Sequence, residues 1–144
     1  MEYVYPVILT PDTQDGGFIV TCRDLPEAIT QGDTLAAALL EAADCLEEAL
    51  AGRIDDHRQI PLPSAPEPGE YLVAVPIQTA LKAGLYLAMQ ESGMSVAELA
   101  KKLRITERSA CELLDPGIER AIPDMERAMA AVGKRVALEV LEAA

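Results

Sequence analysis

The sequence predicts an α+β protein, in which a β-β-β-α-β unit is followed by an all-helical unit. Short β-branched, apolar runs occupy much of the start of the chain, and apolar residues recur at helical spacing from Leu35 onward. Segment 60–69 contains four prolines in ten residues, which excludes a helix interior there. We therefore expect a first unit at 1–76, which includes this proline-rich segment, and a second unit at 77–144.

The first unit is expected to begin with a β-hairpin. Residues 4–10 and 18–22 are rich in β-branched and apolar side chains, and the Asp-Gly-Gly sequence at 15–17 is typical of a turn. A short third strand is predicted at 28–31. A strand at 71–75, after the prolines, could pair back onto the same sheet.

A long helix is predicted after the third strand. Gly32-Asp33-Thr34 is expected to stop that strand and to supply the oxygen that caps the helix, and Gly52 is expected to end it. The acidic residues of this helix fall mostly on the side away from the sheet. The apolar residues expected on the sheet side are Leu35, Leu39, Ala42, Leu46 and Leu50.

Charge is distributed unevenly between the two units. The net charge is −12, of which residues 1–70 hold −11 and residues 71–144 hold −1. The acidic balance excludes a uniformly basic nucleic-acid binder, and a hydrophobic fraction of 50% excludes global disorder. An acidic unit would attract a basic partner, although an ordinary solvated helix face is the alternative. The candidate residues for binding a basic partner are Glu41, Asp44, Glu47, Glu48, Asp55 and Asp56.

The second unit is predicted to be mostly helical. Ser95 and Glu98 form a capping box, Gly93 and Gly133 are typical helix stops, and Pro123 is permitted in a first turn. Helices are expected from 77 or 79 to 90 or 91, from 95 to 103, from 106 to 114 and from 123 to 132, with a closing strand at 136–140 that could pair across a two-fold axis.

Two short helices joined by a tight turn are typical of a helix-turn-helix. The small side chain of Ala100 would let the second short helix cross closely, and Ile105 would plug the turn. A plain helical bundle with a solvated, charged face is the alternative. The other residues expected to face inward are Val96, Leu99, Leu103, Ala110 and Leu113.

The start of the second short helix would meet base edges in the major groove, while nearby cations would reach phosphates. Glu107 and Glu112 oppose this role, because they would repel phosphate. Arg104 occupies a turn position where glycine most easily takes a positive φ. We therefore expect weak binding per subunit, strengthened in a dimer. The candidate DNA-binding residues are Ser95, Lys101, Lys102, Arg104, Thr106, Glu107, Arg108 and Ser109.

These segments resemble the HicB antitoxin family, the partners of HicA toxins. The stretch 24–34 is the most specific, because a Gly-Asp-Thr sequence that closes a short strand into a helix is a hallmark of that family. The resemblance covers nearly the whole chain. The matching segments are 5–6, 16–18, 24–26, 30–34 and the helix 35–50, followed by the helix-turn-helix-like residues 95–116, 125–128 and 133–135.

The resemblance implies a partial ribonuclease H-like first domain that has lost catalysis and covers a HicA-like toxin, a small basic messenger-RNA interferase. It implies that the second domain binds operator DNA as a homodimer or higher oligomer, so that the pair represses its own operon. A stand-alone transcriptional regulator with a sensing or interaction domain is the main alternative. A structural dimer whose helix-turn-helix has lost DNA binding is a weaker one.

Enzymatic activity is not expected. Asp12, Asp15, Asp24 and Asp33 lie near predicted strand ends, but turns and a helix cap account for most of them. His57 is isolated in a polar segment. We therefore expect no catalytic residue, no metal and no cofactor.

A cytoplasmic location is expected, without membrane association. The chain has no apolar run of bilayer length, and no secretory signal is visible at its start. Cys22, Cys45 and Cys111 are predicted to be small buried side chains in a reducing compartment.

Overall fold

The computed structural model describes residues 2–142, so the outer bounds predicted at residues 1 and 144 lie outside the described residues. The α+β class is confirmed, and so is the β-β-β-α-β order of the first unit. The elements are β1 Val4–Pro11, β2 Phe18–Thr21, β3 Ile29–Gly32, α1 Leu35–Asp55, β4 Tyr71–Ala74, α2 Ile77–Ser92, α3 Val96–Leu103, α4 Glu107–Leu114 and α5 Ile122–Ala131.

The strands lie side by side in the order β3-β2-β1-β4, and each neighbouring pair is antiparallel. The predicted return of the strand after the prolines is confirmed, because Val73 of β4 pairs with Tyr5 of β1. Tyr5, Val7 and Val20 are buried in the core between the sheet and α1. The first core therefore lies on one face of the sheet.

The junction between β3 and α1 requires a glycine. A Cβ atom at Gly32 would lie 2.4 Å from the backbone nitrogen of Ala38, so a side chain there would push α1 away from the strand. Thr34 then caps the helix, because its Oγ1 accepts a hydrogen bond of 3.1 Å from Ala37 N. The cap oxygen is therefore that of Thr34, and Asp33 does not supply it.

α1 continues past Gly52 and ends at Asp55, so the predicted stop at Gly52 is wrong. Ile54 is only 5% exposed, and its packing in the core stabilises the additional turn. The predicted inward position of Leu35 is also wrong, because this residue is 41% exposed. The buried residues of α1 are Ala38, Ala42, Leu46, Leu50 and Ile54.

Hydrogen bonds hold the proline-rich segment 60–69 against the first unit. The Tyr5 hydroxyl donates a hydrogen bond of 2.8 Å to the Pro61 carbonyl oxygen. The Asp24 carboxylate accepts two hydrogen bonds from Ser64, one from the backbone N–H at 2.8 Å and one from the hydroxyl at 2.5 Å. The segment therefore runs along the first unit as part of its surface.

α2 lies between two apolar cores. Ala83 and Tyr86 are buried in the core of the sheet and α1. Leu81, Leu85 and Met89 belong to a second core, which they form with residues of α3, α4 and α5. The first helix after the prolines is therefore shared by both halves of the chain.

The segment after α5 does not form the predicted strand. Residues 134–142 have no regular secondary structure, and the described strands all belong to the first unit. An isolated strand is not stable without a hydrogen-bonded neighbour. The prediction of a strand at 136–140 within one chain is therefore wrong.

The three cysteines differ in burial. Cys22 is buried as predicted and Cys45 is half-buried, but Cys111 is exposed, so its prediction is wrong. Ala110 and Leu113 take the buried positions of α4, which leaves Cys111 on its outer side. Among the described helices, none combines the length and the apolarity that crossing a bilayer requires.

Candidate nucleic-acid and partner interfaces

The α3–turn–α4 segment begins each of its helices with a side-chain cap. Ser95 Oγ accepts a hydrogen bond of 3.1 Å from Glu98 N at the start of α3. Thr106 Oγ1 accepts one of 3.1 Å from Ser109 N at the start of α4. The Thr106 hydroxyl also donates to Ser109 Oγ at 3.1 Å. Three predicted DNA-binding residues, Ser95, Thr106 and Ser109, therefore hold the two helix starts.

The turn after α3 is closed by a pair of backbone hydrogen bonds. Ile105 N donates to Ala100 O at 3.0 Å, and Arg104 N donates to Lys101 O at 3.3 Å. This is a Schellman motif, whose left-handed residue is usually glycine. Here it is Arg104, with a φ of 55°. The positive φ expected from the sequence is therefore present, on a residue with a side chain.

The core beneath the turn is largely as predicted. Leu99, Ala100, Ala110 and Leu113 are buried between α3, α4 and their neighbours. Ile105 is 37% exposed, so it covers the turn only in part. Val96 and Leu103 are half-buried and pack at the edge of this core.

The four predicted DNA-binding cations differ in whether they are bound to other parts of this chain. Lys101, Arg104 and Arg108 are exposed on the surface of the α3–turn–α4 segment. The Lys102 amine donates a hydrogen bond of 3.1 Å to Ala131 O, the last residue of α5. Lys102 therefore stabilises the end of α5, while the side chains of the other three are exposed to solvent.

The two acidic residues of α4 are placed differently. Glu112 accepts a hydrogen bond of 2.8 Å from Arg120 Nη1, and Arg108 Nε lies 3.8 Å from its other carboxylate oxygen. Glu107 is exposed in the first turn of α4, where a negative charge complements the helix dipole. The repulsion expected from Glu112 is thus partly neutralised by its own arginine partners.

Lys82 of α2 is a buried cation that the sequence analysis did not identify. It is 1% exposed, and burial lowers its pKa to about 8. The amine points to the last turn of α4 and donates to its main chain. In the sequence, Lys82 stands between the apolar residues Leu81 and Ala83, and this position could have indicated a buried lysine. Both neighbours are buried in the structure.

The predicted toxin-binding residues lie on α1 or directly after it. Glu41, Asp44, Glu48 and Asp55 are exposed, and their spacing of three, four and seven residues places them on one helix face. We call these four residues the acidic face of α1. The remaining two are separate: Glu47 is half-buried, and Asp56 is the exposed C-cap.

The acidic face differs from Glu27 and Glu70 of the first unit, each of which binds an arginine. Arg53 binds Glu27 through Nε at 2.6 Å, and this hydrogen bond lowers the pKa of the Glu27 carboxyl. Arg23 binds Glu70 in the same way at 2.9 Å. Among residues 2–142, no ion pair involves a carboxylate of the acidic face. An exposed apolar side chain, Leu40, lies beside it and is 72% exposed.

The carboxylates considered for catalysis either form hydrogen bonds that stabilise the fold or belong to no cluster of possible metal ligands. Asp12 accepts hydrogen bonds from Gln14 N and Asp15 N inside the hairpin turn. Asp24 is bound to Ser64, as described above. Within the described part of the chain, no group of three or more His, Cys, Asp or Glu residues is arranged to hold a metal ion. His57 is exposed just after α1.

The sequence analysis missed an apolar surface on the outer face of the sheet. Ile8 of β1 and Ile29 of β3 both pair with Thr21 of β2, and these isoleucines are 41% and 62% exposed. Ile19 and Leu72 are also exposed on this face. One-sided antiparallel sheets usually carry polar residues toward water. In the sequence, β-branched residues occur on both faces of the predicted strands, and this pattern could have indicated an apolar outer face.

Comparison with known proteins places the chain in a family. A family profile described as HicB_like antitoxin of bacterial toxin-antitoxin system matches residues 4–84, which hold the sheet, α1, the proline-rich segment and the start of α2. The matched segment thus covers the whole first unit except its first residues.

Similarity to individual proteins extends into the second unit. The chain is 38% identical over 128 residues to Antitoxin HicB of Pseudomonas fluorescens (strain Pf0-1), covering 88% of each chain. It is 34% identical over 134 residues to Antitoxin HicB of Escherichia coli (strain K12), covering 93% of this chain and 96% of that one. It is 32% identical over 136 residues to Antitoxin HicB 1 of Photorhabdus laumondii, covering 94% and 86%. The chain therefore belongs to the HicB-like antitoxin family of bacterial toxin–antitoxin systems.

Proposed function

We propose that this protein binds and neutralises a small basic messenger-RNA interferase and represses its own operon by binding operator DNA. The first activity is assigned to the acidic face of α1 and the second to the α3–turn–α4 segment. Neither activity requires catalysis by this chain. A protein with both activities works in the bacterial cytoplasm, where the messenger RNA and the operator are found.

The observation that carries the toxin-binding proposal is a row of carboxylates without cations. Glu41, Asp44 and Glu48 are exposed on one face, while Glu27 and Glu70 are bound by arginines of this chain. Unpaired charges on one face raise the rate of encounter with a basic partner.

Leu40 adds an apolar contact point beside these charges. It is 72% exposed, whereas Leu46 and Leu50 of the same helix are buried. Interfaces commonly combine an apolar anchor with a charged rim. We therefore assign Leu40 as the apolar contact of the toxin interface.

The toxin-binding proposal is tested with two double charge reversals that change the net charge of the protein by the same amount. Glu41→Lys with Asp44→Lys should weaken binding to the basic product of the neighbouring gene by about tenfold or more, because two steering charges become repulsive. The matched control is Glu119→Lys with Glu126→Lys, two exposed residues of the second unit. This control should change the dissociation constant by less than about twofold.

Two results would overturn the placement of this interface. One is an equal loss of affinity in the control, which would indicate a general charge effect. The other is a loss with Ile19→Glu on the outer sheet face while the α1 variant binds normally. If no toxin complex forms but operator binding persists, the protein is a stand-alone regulator.

The DNA-binding proposal is supported by the surface of the α3–turn–α4 segment. The exposed cations Lys101, Arg104 and Arg108 surround the start of α4, and Arg120 neutralises Glu112. The start of a second short helix is the part of such motifs that meets base edges. The segment carries few cations, so each subunit contributes a modest affinity.

Operator binding is tested by fluorescence anisotropy with the upstream region of the operon and with unrelated DNA. Arg108→Ala should weaken operator binding and reduce its dependence on salt. Glu107→Lys should tighten binding to both DNAs, because it replaces a repulsive charge with an attractive one. If both variants bind like the parent, α4 does not contact DNA.

A further inference from the structure

Two side chains of α2 hold the last turn of α4 and the segment that follows it. Gln78 Nε2 donates a hydrogen bond of 2.6 Å to Arg120 O, and Gln78 Oε1 accepts one of 3.2 Å from Arg120 N. Lys82 Nζ donates one of 2.6 Å to Glu112 O. Gln78 and Lys82 are four residues apart, so they lie on the same face of α2. All three bonds end on main-chain atoms, and they therefore fix the backbone of α4 and of the following segment.

α4 has little of its own that could determine its position. It has eight residues, which is shorter than a helix that is stable alone in water. Its buried residues are Ala110 and Leu113. Residues 115–121, between α4 and α5, contain no helix or strand. The position of α4 therefore depends on contacts from other elements, and those from α2 act on its last turn and just beyond it.

α2 is itself fixed on two sides. Ala83 and Tyr86 are buried in the core of the first unit, and the Tyr86 hydroxyl donates a hydrogen bond of 2.8 Å to Arg58 O, shortly after α1. Leu85 is buried in the second core. Gln78 and Lys82 therefore extend from a helix that cannot shift without disturbing both cores.

The amine of Lys82 is explained by its bond to α4. Burying a cation is unfavourable unless its donors find acceptors, and Lys82 is 1% exposed. An apolar side chain of the same length would fill this position without that cost. What the amine adds is a hydrogen bond to a carbonyl group at the end of α4, where the helix itself supplies no donor.

We propose that Gln78 and Lys82 are positioning residues for operator binding, which hold α4 where its side chains reach base edges. The proposal rests on the proposed DNA-binding function and adds two residues outside the α3–turn–α4 segment. Contacts with base edges need side chains at defined positions, whereas attraction to phosphates tolerates displacement. Loss of either side chain should therefore reduce the preference for operator DNA and leave the general affinity for DNA nearly unchanged.

The first test compares operator DNA with unrelated DNA by fluorescence anisotropy, well below the melting temperature of every variant. Gln78→Ala leaves the net charge unchanged. It should weaken operator binding by about fivefold or more, which is the loss expected for one base contact. Its affinity for unrelated DNA should change by less than about twofold. Lys82→Met, which keeps an apolar side chain of similar length, should show the same pattern.

Two control variants separate positioning from charge and from stability. Arg120→Ala keeps the main chain that Gln78 holds but frees the Glu112 carboxylate from its partner at 2.8 Å. Affinity for both DNAs should therefore fall by a similar factor. Thr34→Ala removes a helix cap in the first unit and should bind both DNAs like the parent. Equal losses on both DNAs in Gln78→Ala would overturn the proposal, and so would an operator loss of the same size in Thr34→Ala.

The second test needs no DNA, because amide hydrogen exchange reports how firmly α4 is held. In Gln78→Ala and in Lys82→Met, the amides of residues 110–115 should exchange about fivefold faster or more, as expected for the loss of one hydrogen bond. The amides of residues 99–103 in α3 should change less, since neither side chain is bonded to that helix. Unchanged exchange in α4 of both variants would show that these side chains do not hold it.

The two proposals fail in different ways. If the parent binds operator DNA and unrelated DNA alike, the DNA-binding proposal fails, and hydrogen exchange alone decides whether Gln78 and Lys82 hold α4. If the parent prefers operator DNA and both α2 variants keep that preference, the positioning role fails and DNA binding stands.

Discussion

Lys82 of α2 donates a hydrogen bond of 2.6 Å from Nζ to the main-chain carbonyl oxygen of Glu112 in α4. The last carbonyl groups of a helix have no partner inside that helix, so the lysine satisfies one of them. Asp115 and Arg120 lie close enough to act on the lysine charge in opposite directions. The contact fixes α4 to the helix that both cores share.

The burial of Lys82 predicts a dependence of stability on pH. Its pKa is lowered to about 8 in the folded protein, whereas an unfolded chain has a lysine pKa of about 10.4. Between these values the unfolded chain binds more protons, so stability rises with pH through that window. The gain from this group should reach about 2 kcal/mol between pH 7 and pH 9.5.

Lys82→Met isolates this contribution, because it removes the titrating amine and keeps an apolar side chain of similar length. The free energy of unfolding is measured in urea for both proteins, and the difference between them should grow in favour of the parent from pH 7 to pH 9.5. The same difference should stay constant from pH 5 to pH 7, below both pKa values. A constant difference over the whole range would contradict the burial of a charged amine.

Arg104→Gly should separate folding from DNA binding. Gly93 and Gly133 close α2 and α5 with a positive φ, and Arg104 closes α3 in the same conformation with a side chain. Glycine relieves that strain, so we expect the free energy of unfolding to rise by up to about 1 kcal/mol. If the proposed DNA-binding role is correct, operator affinity should also fall, because the variant loses an exposed cation beside α4.

The control for this substitution is Lys101→Gly, which removes a cation from the last turn of α3. Its right-handed helical position makes glycine unfavourable by about 1 kcal/mol. Both variants should lose affinity for DNA, while their stabilities move in opposite directions. Equal stability losses in urea would show that the turn carries no strain.

Two glycines of the first unit should respond oppositely to alanine. Gly32→Ala places a Cβ within 2.4 Å of Ala38 N and should cost more than about 2 kcal/mol, because only backbone movement can relieve the overlap. Gly52→Ala lies inside α1 with no atom within 4 Å of its Cβ, and should stabilise by about 1 kcal/mol. The melting temperatures of both variants, measured by thermal unfolding, test this prediction. A Gly32→Ala variant as stable as the parent would contradict the close approach of β3 and α1.

Thr34→Ala should destabilise the protein by about 1 kcal/mol, because Ala37 N loses its acceptor at the start of α1. Thr13→Ala, in the exposed hairpin turn, serves as the control and should lie within about 0.5 kcal/mol of the parent. Urea unfolding distinguishes the two. Equal effects would mean that the cap does not contribute to stability.

The order of strands and helices was predictable because local patterns and packing agree. Short strands alternate or are β-branched, and Ser95, Thr34 and Thr106 cap helices where their sequence position indicates. The predicted helix end at Gly52 was wrong because a glycine ends a helix only weakly. The burial of Ile54 in the core stabilises the additional helical turn by more than the glycine destabilises it. The predicted inward position of Leu35 was wrong because the close contact at Gly32 determines which face of α1 packs against the sheet.

The candidate sites were predictable in part. The exposed acids of α1 follow from helical spacing, and the positive φ of Arg104 follows from the length of the turn. Contacts between residues distant in the sequence did not follow from local patterns. Examples are the engagement of Lys102 with Ala131 and the bond between Asp24 and Ser64, separated by 29 and 40 positions. Only the folded chain brings these groups together.

The shared position of α2 has a consequence for how such proteins recombine. Ala83 and Tyr86 of α2 pack into the first core, while Leu85 packs into the second. A chimera joined after the prolines, at residues 76 and 77, would carry its donor's α2 into a foreign first core. Such a graft keeps the first core intact only if the donor helix matches the host at Ala83 and Tyr86, so exchange of second units between relatives is constrained by a helix that belongs to both cores.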